Sequence, residues 1–243
     1  MEFNLNEELK VLIEEAGKNF DALDIDTDDE VFDFEDFGKN FIKSCNCSPD
    51  AFLQMSLQLT YFKMHNGLCS TYESASTRRF KHGRVDSIRS SHLPALDWVQ
   101  VMLDKDKTKQ EKLNLFKSAI AKQTKITKEN IFGEGVDVPM LGIKRASEEL
   151  WPNEPLAIFQ DPTFDFANKF KLSTSQVPIA LPKSFMGYGA VVPDGYGVSY
   201  NLQNDHIIFA ICSFFSCQET NSRRFCQELA GSLQEMRDLF IEE

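Results

Sequence analysis

Hydroxyl side chains dominate the parts of this sequence that could do chemistry. Ser173-Thr174-Ser175 runs into Gln176-Val177-Pro178, and Thr71-Tyr72-Glu73-Ser74-Ala75-Ser76 is followed by Arg78, Gly83-Arg84-Val85-Asp86 and Ile88-Arg89-Ser90. A stretch so rich in hydroxyls and guanidiniums needs polar partners, and its texture suggests a loop directly after a buried helix. Taken alone, the Ser-Thr-Ser cluster is an ordinary strand-edge group. No Gly-x-Ser-x-Gly elbow accompanies it, so a serine hydrolase has little support. Lys39 and Lys43 stand four apart, with Asp50 seven residues further on. Lysines within reach of one another suit anionic phosphate oxygens, although beside an acidic run such a pair reads more simply as two solvated side chains. Of the four histidines, His65 falls late in a buried helix and His206 opens a strand, and both read as structural; His82 and His92 carry no motif. The six cysteines match no zinc spacing and are too few for a disulfide scaffold. They are expected to be reduced thiols.

The elements that must position these residues follow from periodicity. Ser48-Pro49-Asp50 supplies a capping residue, a proline suited to the first helical position and an acid for the helix dipole. The stripes Phe52/Met55/Leu59/Phe62 and Leu53/Leu57/Tyr61/Met64 make the helix that follows apolar over much of its circumference, so it is expected to be a core element ending near Asn66-Gly67. The pattern is helical again over 93–123, with a charged turn at 104–109, and once more from about Pro139 to Leu150. From Phe170 onward, short β-prone runs alternate with proline and glycine, and 207–215 reads as a strand buried on both faces. A closing helix, capped near Thr220 or Asn221, carries Phe225, Leu229, Leu233, Met236 and Phe240 on one stripe. Helices, then strands, then a helix imply one mixed α/β layer domain.

Composition bounds the function. With 26 Lys plus Arg against 37 Asp plus Glu over 243 residues, the net charge is −11, which argues against a nucleic-acid or anionic-membrane binder. No run is long and apolar enough for a membrane span, and the start lacks a signal-peptide pattern, so the expected location is cytosolic. Asp21–Asp36 holds nine acids in sixteen residues and no base. It reads as a solvated acidic linker or helix start, with Phe32 and Phe34 hinting that its later half packs.

Taken together, Thr71–Ser76, Gly83–Asp86, Ser173–Pro178, Val192-Pro193-Asp194-Gly195-Tyr196-Gly197 and Cys217-Gln218-Glu219-Thr220 closely resemble the choline/carnitine O-acyltransferase family. The resemblance runs from about Val31 onward and corresponds to the C-terminal portion of a two-domain enzyme. It implies an acidic N-terminal segment (1–36), then a C-terminal acyltransferase domain (37–243) with a chloramphenicol-acetyltransferase-like mixed β-sheet covered by helices, and a substrate tunnel between two such domains. The family's general base is the histidine of a His-x-x-x-Asp-Gly motif, and none of the four histidines here is followed by x-x-x-Asp-Gly. The partner expected for this chain is therefore the missing N-terminal domain, and the chain alone is expected to be inactive. By resemblance, Lys39, Lys43, Asp50, Ser76 and Gln176 are coenzyme A contacts, and Ser175 is the donor to the oxyanion of the tetrahedral intermediate. No permanently bound cofactor or metal is implied; acetyl-CoA is the co-substrate.

Choline and carnitine both carry a quaternary ammonium, recognised through aromatic faces and negative field. Tyr72, Ser74, Val85 and Tyr188 are the acceptor-site candidates. Carnitine's carboxylate also needs a charged or hydroxyl partner. The carnitine enzymes resemble one another in placing Thr where this chain has Val85 and Arg where it has Val138, and two apolar side chains there argue for choline. Pro139 and Ala190 depart from the family pattern. The alternatives are a non-catalytic coenzyme A-binding or interaction module, and a carnitine acyltransferase with an altered acceptor site; a charge-driven scaffold built on 21–36 is the least specific reading.

Overall fold

The computed structural model describes residues 3–176, 179, 181 and 183–241. Helix α1 (Glu7–Asp26) leads into strand β1 (Thr27–Phe34), followed by α2 (Lys39–Ser44), α3 (Pro49–His65), β2 (Thr71–Ser76), β3 (Val85–Ile88), α4 (Leu93–Leu103), α5 (Lys109–Ile131) and α6 (Asp137–Leu150). After a short 3-10 turn come α7 (Pro162–Asn168), β4 (Leu172–Gln176), β5 (Tyr196–Leu202), β6 (Ile207–Phe214) and α8 (Ser222–Asp238). The six strands lie in the order β1-β6-β5-β4-β2-β3. β4 runs parallel to both β2 and β5, and the remaining pairs are antiparallel. This is the mixed sheet covered by helices that the sequence implied.

α3 forms where the capping pattern placed it. Ser48 Oγ accepts from Ala51 N, Pro49 occupies the first turn, and Asn66 ends the helix in the left-handed region with φ 54°. Every residue from Ala51 to Tyr61 is buried, because α3 lies between the sheet and the helices α4, α5 and α8. The charged break after α4 is closed by a capping box in which Thr108 and Glu111 exchange hydrogen bonds. On β6, Ile207, Phe209 and Ile211 enter the core, while Ile208, Ala210 and Cys212 are buried on the opposite face, as a doubly covered strand requires.

Three expectations are corrected. The acidic run is neither a linker nor a helix start: its first part ends α1, and 27–34 forms β1, paired along its whole length with β6. The hydroxyl-rich stretch after α3 is not a loop but the antiparallel pair β2–β3. The segment 185–195 holds no strand, although its glycine-punctuated texture looked β-prone. α1 and α2 went unread; α1 has no buried residue and leaves Leu9, Val11, Leu12, Ile13, Phe20 and Leu23 exposed.

β1 tolerates its acids because only Asp28 is taken inside. Asp28 Oδ2 accepts from Ser213 Oγ at 3.1 Å and from Ser222 N at 2.8 Å, Asp28 O accepts from Ser222 Oγ at 2.6 Å, and the two serine hydroxyls meet at 2.8 Å. One carboxylate thereby ties β1 and β6 to the first turn of α8, where the helix dipole favours it. Asp28→Ala strands the Ser213 hydroxyl and the Ser222 N–H in a buried site and is expected to lower unfolding free energy by about 2–3 kcal/mol. The exposed Asp33→Ala is expected to change it by less than about 0.5 kcal/mol. Urea denaturation of the two variants checks the contrast.

Candidate active-site cleft

Alternation along β2 sorts its side chains onto two faces. Thr71, Glu73 and Ala75 are buried toward the helices; Tyr72, Ser74 and Ser76 point the other way, into the open. The same parity on β4 sends Leu172 and Thr174 into the helical side and Ser173 and Ser175 to the face that carries Tyr72. Val85 is paired with Ser76 across β2–β3 and is therefore on that face too. The structure thus brings Tyr72, Ser74, Ser76, Val85 and Ser175 to one side of the sheet.

The two strands that carry the serines pair only twice, Thr71 with Leu172 and Tyr72 with Ser173. Beyond that, β2 continues with β3 and β4 with β5. The sheet therefore splits toward the C-terminal ends of the two strands, with Ser74 and Ser76 on one lip and Ser175 and Gln176 on the other. A side chain closes the root of the split. Thr174 Oγ1 donates to Tyr72 O at 2.8 Å, and Gln54 Nε2 donates in turn to Thr174 Oγ1 at 2.9 Å and to Tyr200 OH at 3.0 Å. Ser74 Oγ donates to Tyr72 OH at 3.0 Å. Ser175 makes no side-chain hydrogen bond among the described residues. Val177 and Pro178, the end of the motif, lie outside them.

Tyr188 sits below this face. Its hydroxyl donates to Ser173 O at 2.8 Å and Val198 O at 3.1 Å. Burial, partly offset by those bonds, pushes its pKa up, with Tyr72 adding a smaller upward push. A cavity of about 700 Å3 opens beside it, lined by Val31, Phe185, Ala210, Cys212 and Phe214 with Asp29 and Glu30 at the edge.

On the helical side, α2 is docked rigidly. Lys39 N donates to Gln203 O at 2.8 Å and Asn40 N to Asn204 O at 3.0 Å. Gly38 allows this approach, since a Cβ there would lie 2.5 Å from His206 N. Lys39 and Lys43 make no ion pair among the described residues. Asp50, at the start of α3, accepts from Tyr200 OH at 2.6 Å, and Tyr200 is the cross-strand partner of Gln176. Sequence reasoning missed what lies next to α2: a cavity of about 820 Å3 between Cys45–Cys47 and α5, lined by Lys117, Thr124, Lys125 and Lys128 along with Glu129 and Glu134. Lys117, Lys125 and Lys128 recur on one helical stripe, a signal legible in the sequence that went unused. Cys47 faces this cavity with its thiol pushed up to about 11, by burial first and then Cys45, with Lys117 opposing.

No histidine reaches the split. His65 packs at the far strand ends, 3.4 Å from Tyr196 OH, with its pKa lowered chiefly by burial and then by Lys171. His92 caps α4 through Nδ1, and burial lowers it to about 4. His206 meets Asp205 at 2.8 Å, and His82 lies in the β2–β3 turn with φ 62°. Just past the other end of β3 from Val85, the Arg89 guanidinium forks Asp137 at the start of α6 with bonds of 3.0 and 2.5 Å. Val138, next in line on α6, is 53% exposed. Among the described residues no cluster of three metal-ligating side chains occurs, and no helix is long and apolar enough to cross a membrane.

A profile of the family "Choline/Carnitine o-acyltransferase" matches residues 1–231, beginning upstream of the point near Val31 where the motifs start to be legible. Choline O-acetyltransferase of Drosophila melanogaster is 39% identical over 262 residues, covering 98% of this chain and 36% of that protein. Carnitine O-acetyltransferase of Columba livia is 43% identical over 239 residues, covering 98% and 38%. Choline O-acetyltransferase of Sus scrofa is 42% identical over 234 residues, covering 96% and 36%. The chain thus spans a little over a third of the length of these relatives. Among solved structures, a chloramphenicol acetyltransferase superposes with a TM-score of 0.48 at 10% identity, covering 90% of this chain and 95% of that one. With the family profile matched from residue 1 to 231 and relatives aligned over 96–98% of its length, the chain belongs to the choline/carnitine O-acyltransferase family.

Proposed function

We propose that this chain is the coenzyme A- and acceptor-binding part of a choline O-acyltransferase, which moves an acetyl group from acetyl-CoA to the choline hydroxyl and yields acetylcholine. The observation that carries the reading is the parting of β2 and β4 beyond Tyr72 and Ser173, which places Ser76 and Gln176 on opposite lips of one opening. A flexible chain such as the pantetheine arm can thread such an opening and hydrogen-bond to both lips. Lys39, Lys43 and the lysine-lined cavity beside α2 offer the positive charge that the phosphates of the nucleotide end demand.

On this reading, Ser175, whose hydroxyl bonds to no side chain or backbone group among the described residues, presents it to the oxygen that becomes negative in the tetrahedral intermediate. The base that deprotonates choline is the histidine of a His-x-x-x-Asp-Gly motif on another part of the enzyme, since the four histidines here are spent on caps, turns and strand ends. Tyr72 and Tyr188 supply aromatic faces for the quaternary ammonium, and Asp29 and Glu30 add negative field. Choline is preferred over carnitine because Val85 and Val138 are apolar, and the Arg89 guanidinium at the start of α6 is already committed to Asp137. The family's carnitine enzymes are similar to this chain at equal strength, so the acceptor rests on these side chains alone. The second reading is a coenzyme A-binding module without turnover, which keeps the same lips and lysines while its own four histidines lie away from the split.

Calorimetric titration of the chain with acetyl-CoA is expected to give binding that Lys39→Ala plus Lys43→Ala weakens about 10- to 30-fold at low salt and less at high salt. Unchanged binding in the double variant would remove the coenzyme A assignment from α2. Ser175→Ala, in a polypeptide that also carries the histidine motif, is expected to lower kcat by about 100-fold with little effect on acetyl-CoA binding. The chain by itself is expected to transfer no acetyl group to choline; turnover that survived each of the four His→Ala changes would overturn this account of the base. Val85→Thr combined with Val138→Arg is expected to raise carnitine use relative to choline by about 10-fold or more in a competition assay.

A further inference from the structure

Arg89 follows β3 by one residue. Ile88, the last residue of that strand, pairs with Glu73, so the register carried one step further sets Arg89 opposite Tyr72, on the face that also carries Val85 and Ser87. Its Nε donates to Asp137 Oδ2 at 3.0 Å, Nη2 to Asp137 Oδ1 at 2.5 Å and to Asn168 Oδ1 at 2.9 Å, and Nη1 to Ala167 O at 2.6 Å. Ser70 Oγ, just ahead of β2, donates to the same Ala167 carbonyl at 2.5 Å. These bonds fix the guanidinium in its plane and leave its flat faces free. One face covers the ring of Phe170, with Cζ 5.2 Å from the ring centroid. The Phe170 ring in turn meets Tyr72 edge-to-face, at 5.5 Å and 64°. Beside them a cavity of about 420 Å3 opens, lined by Ser87, Asp137, Met140, Phe164, Asn168 and Phe170. Phe170 therefore has open space on one side, and close packing alone does not hold its ring.

We propose that Arg89 is a positioning residue for the acceptor site: pinned at its edge by Asp137, Asn168 and Ala167, its guanidinium holds the Phe170 ring against Tyr72 and thereby fixes the aromatic face that meets the quaternary ammonium. The inference rests on the reading of Tyr72 as an acceptor contact. A bare cation beside a cationic acceptor would repel it; the fork to Asp137 offsets that charge, so the guanidinium acts through its shape. Attraction between an ammonium and a ring requires the cation to lie over the ring face, within about 6 Å of the centroid. A Tyr72 ring free to swing with Phe170 toward the cavity binds the acceptor more weakly without touching the reacting groups. Lysine cannot take the place of arginine here. Its ammonium is a point donor that cannot fork Asp137 and reach Ala167 O in one plane, nor lie flat on Phe170.

Steady-state kinetics in a polypeptide that also carries the histidine motif test it. Arg89→Lys is expected to raise the choline KM about 10-fold while kcat and the acetyl-CoA KM stay within about twofold of wild type. A residue that only stabilised the fold would reduce the active fraction, and so the apparent kcat, with the choline KM in place; that result overturns the proposal. Tyr72→Ala is expected to raise the choline KM at least as far, and adding Arg89→Lys to it is expected to change the KM by less than about twofold more, because Arg89 acts through the ring. A raised KM in Tyr72→Ala, with Arg89→Lys either silent or fully additive to it, overturns the positioning role and leaves the acceptor assignment standing. An unchanged KM in Tyr72→Ala overturns that assignment and the positioning role together. If Arg89→Lys fails to fold, Phe170→Leu, which leaves the fork to Asp137 intact, decides: a choline KM raised about threefold or more supports the proposal, and an unchanged one overturns it.

Discussion

The arrangement of the cleft depends on a ladder that stops early. β2 and β4 are parallel neighbours for two residues and then leave each other, each taking a different antiparallel or parallel partner. Backbone groups at such a fork lose their ladder partners and must be satisfied otherwise. The hydroxyl of Thr174 does this for the carbonyl of Tyr72, and Gln54 from α3 holds the hydroxyl in place. A strand that merely frayed would leave a mobile edge; a fork pinned by a helix leaves a fixed gap. The serines and Gln176 on its lips inherit their positions from that pin.

The helical side of the sheet is unusually polar for a core. Gln54, Gln58, Ser56, Thr60, Thr71, Glu73 and Thr174 are all buried there among aromatic and aliphatic side chains. Buried amides of this kind define register, since a one-residue slip of β2 would turn Thr71 and Glu73 away from Gln58 and Gln123. Each also leaves an orphan: Oε1 of Gln54, Gln58 and Gln123 has no hydrogen-bond partner among the described residues. Specificity of strand placement is thus obtained at some cost in stability.

α3 and α8 were legible because local and global preferences agree in them: a cap, then apolar residues recurring at helical spacing over four or more turns. β1 was illegible for the opposite reason. Its sequence, Thr-Asp-Asp-Glu-Val-Phe-Asp-Phe, has poor strand propensity, and it becomes a strand because β6 presents an open ladder and Asp28 finds three donors. β2 was misread because serine and threonine favour turns in isolation, whereas here alternate residues feed a polar core. At the site, the motif resemblance named residues that the fold places on one face, but nothing in the spacing of Ser76 and Gln176 foretells a fork between them. The lysine stripe of α5 was there to be read; its relevance came only from the cavity that α2 closes over it.

β1 is also an edge strand, with β6 on one side and, among the described residues, no strand on the other. The backbone donors and acceptors of alternate residues along its outer side would ordinarily invite another extended chain to add on. Asp29, Glu30 and Asp33 make that addition costly, because a second copy docking there would set acids against acids along a shared ladder. At the other end of the sheet β3 is only four residues long, too short to template much. The acidic run that looked like a solvated spacer thereby guards the open border of the sheet, and neutralising it would turn a quiet edge into an adhesive one.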